Sequence, residues 1–330
     1  MQSSADQQLT YPMYGPTALG APEEWDRLRR ECPVARVTLP SGDEASLLTR
    51  YADVREVLSD GRFSRRLDAD DAARIADSES GGVFNRGADR DRFSRWSDAL
   101  LNLIRYTQAE TDAAQDEFAG YLTGYVVAKR KEPADDLPSE LITAVEPDDY
   151  RLSERESVFT GQALLVAGHE TTANMIGKMV AMLLADRRPW ERLPADRKLI
   201  RPTVEEALRL DANAGVGMPR CISETVEVGG ATLAVGATVM CSMAAANRDD
   251  ETAFEAAEEM TLDRSPNAHL ALGAGPHPCL GQALARTELQ TVLDVLLRRL
   301  PSLELAVDAA DLRRLEGLAV GGLREVPVKW

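Results

Sequence analysis

The chain has 330 residues, 44% of them hydrophobic, and a formal net charge of −16. That composition suits a globular protein with a substantial core. The acidic balance argues against a nucleic-acid partner and against an anionic membrane surface, and no apolar run approaches the length that spans a bilayer.

Four widely spaced cysteines, Cys32, Cys221, Cys241 and Cys279, show neither disulfide nor zinc spacing. The opening Met-Gln-Ser-Ser-Ala-Asp lacks the basic start and apolar stretch of a secretory signal. Both features suit a reducing cytoplasm.

The first predicted element is a short helix over 22–32, acidic early and basic late as the helix dipole favours. Residues 34–39 and 45–49 read as a strand pair around the turn Pro40-Ser-Gly-Asp43. A helix over 53–58 then stops at Asp60-Gly61. Residues 67–90 are polar and rich in Asp and Gly, the composition of a loop. Helical patterns return over 91–104 and 109–131, the second closing on the basic Ala128-Lys-Arg-Lys131. An acidic linker around 146–150 precedes a long apolar-periodic run over 154–186. After a helix carrying Glu206 and Arg209, the pattern changes to short strands near 224–228, 231–234 and 239–242, set as hairpins by glycine turns. Residues 320–330 read as a strand-like tail. The sum is a mainly α single domain over 1–330 with small peripheral β-sheets and no internal repeats.

The most informative stretch is Gly273-Ala-Gly-Pro-His-Pro-Cys279-Leu-Gly281. It sets a lone cysteine in a Gly/Pro-constrained loop that runs into an amphipathic helix. The first amides of that helix are unpaired, so a thiolate there gains hydrogen bonds and a favourable dipole. A thiolate held this way suits an iron porphyrin as an axial ligand for O–O cleavage. The bland alternative is a small buried cysteine beside a tight turn, the commoner fate of a lone cysteine. In the long helix, Gly168 removes a side chain where Thr171 and Thr172 can bond back to carbonyls, which weakens or widens the helical ladder. That leaves the Thr171 hydroxyl one residue from the Glu170 carboxylate. Its plain counterpart is a threonine at a helix kink beside a solvated glutamate. Glu206 and Arg209 share a helix face, a pattern that any surface helix supplies. Gly273-Ala-Gly275 lacks the third glycine and the βαβ setting of a dinucleotide site.

Taken together, these stretches resemble the cytochromes P450. The cysteine loop resembles the family's haem-binding loop, and Ala167-Gly-His-Glu170-Thr171-Thr172 its oxygen-binding helix. Glu206-Ala-Leu-Arg209 is similar to its Glu-x-x-Arg pair, with Arg264 of Leu262-Asp-Arg264 in the place that joins the pair. Asn247-Arg-Asp249 matches an element leading to the loop, and all of these stand in the family's order. The resemblance implies heme b with Cys279 as its axial thiolate and the sole protein ligand to iron. It further implies Arg220 and His277 as propionate partners, and Glu170 and Thr171 as a proton relay. His169 and His269 are then structural. The implied activity is a cytoplasmic monooxygenase that inserts one atom of O2 into a small apolar substrate of secondary metabolism. Electrons would come from a ferredoxin and ferredoxin reductase.

Two departures from the family stand out. Leu272 occupies a position where the family usually has phenylalanine, keeping an apolar cover but losing the aromatic edge near the sulfur. Near residues 86–87 the chain is shorter than the family implies by on the order of 70 residues. The missing part holds the third, fourth and fifth helices, one of which normally clamps a propionate and shapes the redox-partner face. Arg86 and Gly87 are expected to be joined by an ordinary peptide bond. Without those helices, the apolar residues from Leu164 to Leu184 would be left bare, which favours weak haem binding and self-association. The rival reading is a P450-like partner or activator without oxidative activity. Intact Cys279, Glu170 and Thr171 favour the enzyme, and the missing helices favour the helper.

Overall fold

The computed structural model describes residues 9–64, 73, 75, 90–143, 152–211 and 213–330. Where the sequence suggests one domain, the chain clusters into two compact units: Met1–Ala76 with Thr172–Trp330, and Asp77–Thr171.

The larger unit opens with β1 (Leu9–Thr10), α1 (Glu24–Glu31), β2 (Val34–Thr38), β3 (Glu44–Leu48), α2 (Tyr51–Ser59) and β4 (Phe63–Ser64). In α1, Glu24 and Asp26 lie in the first turn and Arg29 and Arg30 in the last, as the dipole favours. Strand β2 alternates, burying Ala35 and Val37, and pairs antiparallel with β3 from Val34–Leu48 to Thr38–Glu44. Helix α2 ends at Asp60 in extended backbone, φ −98° and ψ 124°, so no left-handed glycine closes it.

The smaller unit holds α3 (Arg90–Leu101), α4 (Gln108–Lys131) and α5 (Leu137–Thr143), and α6 (Glu154–Ala185) runs from it into the larger unit. Helix α4 starts on a reciprocal cap: Thr107 accepts from the Glu110 amide, and the Glu110 carboxylate accepts from the Thr107 amide at 2.8 Å. Its core is aromatic, with Phe93, Trp96 and Phe118 packed near Leu122, Val126 and Val158. Phe93 meets Trp96 edge-on at 5.2 Å between centroids.

Between β4 and α3 lie 25 residues, too few for three further helices of average length, about 11–12 residues each. The chain therefore has the shortened N-terminal half that its sequence implies. Arg86, Gly87 and nearly all of 67–89 lie outside the described residues, as does the acidic linker at 146–150.

The larger unit continues through α7 (Arg187–Arg192), α8 (Ile200–Leu210), β5 (Met218–Ile222), β6 (Val226–Val228), β7 (Ala231–Leu233), β8 (Thr238–Cys241) and α9 (Met243–Ala246). It closes with α10 (Gln282–Arg299), β9 (Glu304–Leu305) and β10 (Val328–Lys329). Strands β6 and β7 form the expected hairpin. Strand β8 does not join them. It pairs parallel with β3 and antiparallel with β5, inside a six-stranded sheet of order β1-β2-β3-β8-β5-β4. All four residues of β8 are buried, which is why a run of apolar residues sits there without alternation. The strand-like tail contracts to β10, two residues paired with β9.

The main core packs Met175, Met179 and Leu183 of α6 against Val204 and Ala207 of α8 and Leu289 and Leu293 of α10. In the smaller unit, Leu165 and Val166 pack against the aromatic cluster. Leu164, Leu165, Val166, Met175, Ile176, Met179, Val180, Leu183 and Leu184 of α6 are thus buried or partly buried. The bare patch expected on this helix is absent at those positions, and the case for self-association loses its physical basis there. Among the described residues no helix is long and apolar enough to cross a membrane.

Candidate active site

Two glycines shape the loop before α10. Gly273 and Gly275 take φ of 76° and 71°, backbone that side chains rarely adopt. A Cβ at Gly275 would stand 2.4 Å from the Leu58 carbonyl oxygen, at the end of α2. The loop then closes on itself. The Cys279 amide donates to the Leu272 carbonyl at 2.8 Å, and the Cys279 carbonyl accepts from the Gln282 amide at 3.3 Å. The Cys279 thiol is exposed, as are Leu280 (85%) and Leu284 (63%). Gly281 caps α10 with no side-chain hydrogen bond, and its φ of −82° is ordinary. Its value is space, since a Cβ there would meet no protein atom within 4 Å. Leu272 packs against the main core, so the apolar cover survives the loss of an aromatic ring.

Behind the loop, Glu206 and Arg209 of α8 are fully buried and joined by two bonds of 2.8 Å. Arg264 donates to both Glu206 oxygens at 3.0 and 3.1 Å, so the expected third member is in place. Arg209 also donates to the carbonyls of Asn247 and Ala257 at 2.8 and 2.7 Å. Glu206 accepts further from the Thr261 amide and the Asn267 side chain. Burial pushes the Glu206 carboxyl up, but these donors outweigh it and hold it below the usual glutamate range.

The remaining site residues fall in three places. His277 is exposed in the cysteine loop. Arg220 lies on β5, 2% exposed, its Nη1 donating to the Pro219 carbonyl at 2.8 Å. Glu170 and Thr171 are adjacent on α6, in the smaller unit, whereas Cys279, His277 and Arg220 belong to the larger one. Thr171 Oγ1 donates back to the Ala167 carbonyl at 2.6 Å, the bond expected of it. The local widening of the ladder does not follow, because α6 is α-helical throughout. Ser97 of α3 donates to Glu170 Oε1 at 3.4 Å, and His169 Nε2 stands 3.8 Å from the same oxygen.

Sequence reasoning missed Ser97, Glu205 and Arg286. Ser97 meets Glu170 across 73 residues of chain, and no local pattern signals such a partner. Glu205 sits beside a residue that was singled out, but its partners, His269 and Arg286, are 64 and 81 residues away.

An exposed thiol, two exposed leucines and an open glycine on one turn at the start of a helix match a flat apolar group whose metal takes a thiolate. This fold and this loop define a haem-thiolate protein. A family model for cytochrome P450 matches residues 181–306. The chain is 33% identical to the mycinamicin IV hydroxylase/epoxidase of Micromonospora griseorubida, covering 97% of this chain and 98% of the relative. It is equally similar, at 33% with the same coverage, to the nocardicin C N-oxygenase of Nocardia uniformis subsp. tsuyamanensis. A solved structure of a putative thioether synthase from the tailoring of griseoviridin superposes with a TM-score of 0.90 at 31% identity, covering 98% of this chain and all of that one.

The chain belongs to the cytochrome P450 family. It is a haem-dependent monooxygenase that takes a small-molecule substrate and O2 and receives electrons from a redox partner. Alignment with the Micromonospora relative runs over 392 positions, more than the 330 residues present here, so this chain is the shorter of the two.

Proposed function

We propose that Cys279 is the axial ligand to the haem iron, that Arg220 and His277 hold the propionates, and that Glu170 and Thr171 order proton delivery. The observation that carries this reading is the exposed Cys279 thiol, its amide fixed on Leu272, at the uncapped start of α10. When bound, the haem supplies the redox centre at which O2 is cleaved and one oxygen atom passes to the substrate.

The chain's own residues prepare that chemistry. The closed loop aims the sulfur, its amide held by the Leu272 carbonyl and its carbonyl by the Gln282 amide. Leu280 and Leu284, exposed near the sulfur, offer an apolar surface to the haem. The Thr171 hydroxyl, donating its hydrogen bond to the Ala167 carbonyl, presents lone pairs that accept another. Glu170 accepts from Ser97 at Oε1 and takes up or releases a proton at Oε2. The substrate is a small apolar compound, and its place in secondary metabolism is supported by relatives named for mycinamicin IV and nocardicin C. The electron donor is a ferredoxin with its reductase, and the setting is the cytoplasm.

The test is optical. Haem-loaded protein should give a reduced carbonyl complex with the red-shifted Soret band of a thiolate ligand. Cys279→Ser should lose that band and keep its helical content, and a variant that retains it would remove Cys279 from the metal.

A further inference from the structure

Both ends of the cysteine loop converge on one carboxylate. Glu205 Oε2 lies 3.0 Å from His269 Nε2, just before the loop begins. Arg286 Nε, one turn into α10, donates to Glu205 Oε1 at 2.8 Å and to Oε2 at 3.1 Å. Each partner is tied in turn to the loop. His269 Nδ1 accepts from the Ala271 amide at 3.3 Å, which puts the proton of a neutral ring on Nε2, facing Glu205. Arg286 Nη1 donates to the Gln282 side chain at 2.9 Å, and the Gln282 amide holds the Cys279 carbonyl.

The neighbouring glutamate does a different job. The side-chain and backbone partners of Glu206 are Arg209, Thr261, Arg264 and Asn267, all outside the loop. Two adjacent carboxylates on α8 thus divide the proximal region: Glu206 fixes the approach, and Glu205 fixes the span of the loop itself. We infer that Glu205 is a positioning residue for Cys279, setting the direction of the sulfur by holding His269 and Arg286 at the same time. This rests on Cys279 as the haem ligand. Burial raises the Glu205 carboxyl, but the hydrogen bonds from His269 and Arg286 outweigh it and hold the group down at about 2. It is ionised at neutral pH and keeps both donors engaged.

The readout is the rate at which the reduced carbonyl complex of the haem-loaded protein converts from the red-shifted thiolate form to the blue-shifted form that has lost it. Glu205→Gln keeps the shape and removes the charge, and conversion should quicken about tenfold, in line with the loss of charge-assisted hydrogen bonds. Asp294→Asn removes the charge of a carboxylate on α10 that pairs with Arg197 away from the loop, and should leave the rate within about twofold. Adding Arg286→Gln to Glu205→Gln should cost less than Arg286→Gln alone, since one shared partner is already gone. Should Glu205→Gln fail to fold, Glu205→Asp carries the test, with a smaller acceleration expected from its shorter reach.

An unchanged rate in the Glu205 variants overturns the inference, and so does an equal acceleration in Asp294→Asn, which would mean general loosening of α10. Retention of the thiolate band by Cys279→Ser would instead overturn the ligand assignment beneath it.

Discussion

The thiolate side and the hydroxyl side of this protein are held at very different densities. Around Glu206, two arginines, an amide and an asparagine converge on one carboxylate, and Arg209 spends its remaining donors on backbone carbonyls. Around Glu170 the described residues supply one hydrogen bond of 3.4 Å and one approach of 3.8 Å, and Thr171 bonds within its own helix. The proposed ligand to iron needs a fixed direction, which a dense network behind its loop would supply. The proposed proton carriers must exchange partners, which sparse contacts would allow. Substitutions on the first side should therefore change folding and spectra, and on the second should change the fate of electrons.

The largest effect is expected at Arg209. Arg209→Leu leaves Glu206 buried with part of its pairing gone and strands the carbonyls of Asn247 and Ala257. Breaking a buried pair in this way costs about 3–5 kcal/mol. Guanidinium unfolding of the variant should show that loss, and a change below about 1 kcal/mol would mean that the region is held by packing alone.

Thr171→Ala is expected to behave in the opposite way. Haem content and unfolding midpoint should match the parent, since Thr171 is exposed and its hydroxyl bonds within α6. Product formed per electron pair should fall on the order of tenfold, with peroxide rising to match, if the hydroxyl has its proposed role of ordering a proton path that others still serve. Unchanged coupling would remove Thr171 from that path and erase the contrast between the two sides.

That contrast was only half legible in the sequence. The cysteine loop could be read because its glycines and prolines dictate backbone locally, as Gly275 against Leu58 shows. The long helix could be read from its period. Strand β8 was misassigned to a hairpin because its partner β3 lies nearly two hundred residues earlier, a pairing with no local sign. Helix α5 went unseen because seven residues carry too little period to stand out. The Glu206–Arg209 spacing looks ordinary by itself; the family resemblance supplies Arg264, and the three carbonyls that Arg209 reaches are tertiary partners with no local sign.

Acid should distinguish the two sides less sharply. Glu205 falls from an ordinary 4.5 to about 2 in the folded chain: burial pushes it up, and the hydrogen bonds from His269 and Arg286 pull it further down. Glu206 is lowered too. A depressed carboxyl contributes stability that is complete above its unfolded value and lost as pH falls through its folded one. Stability should therefore decline between about pH 4.5 and about pH 2. In Glu205→Gln, the slope in that window should flatten by up to one proton. An identical slope in parent and variant would show that Glu205 titrates alike in both states.

Ser97 gives the smallest effect and the finest test of the contrast. Its hydroxyl, buried on α3, reaches Glu170 at 3.4 Å, near the limit of a hydrogen bond. If the hydroxyl side is held loosely for the sake of exchange, removing this bond should matter little to folding. Ser97→Ala should cost about 0.5–1.5 kcal/mol at most and leave the haem spectrum untouched. What it should change is which protons Glu170 can trade, since Oε1 then loses its donor and both oxygens become free to turn. Coupling of electrons to product should shift by no more than about fivefold, because a single long neutral donor contributes less than a charged one. A loss as large as that of Thr171→Ala would mean that Ser97 belongs to the proton path itself. The sparse side would then be as specifically built as the dense one, with its order carried across from α3 and not by α6 alone.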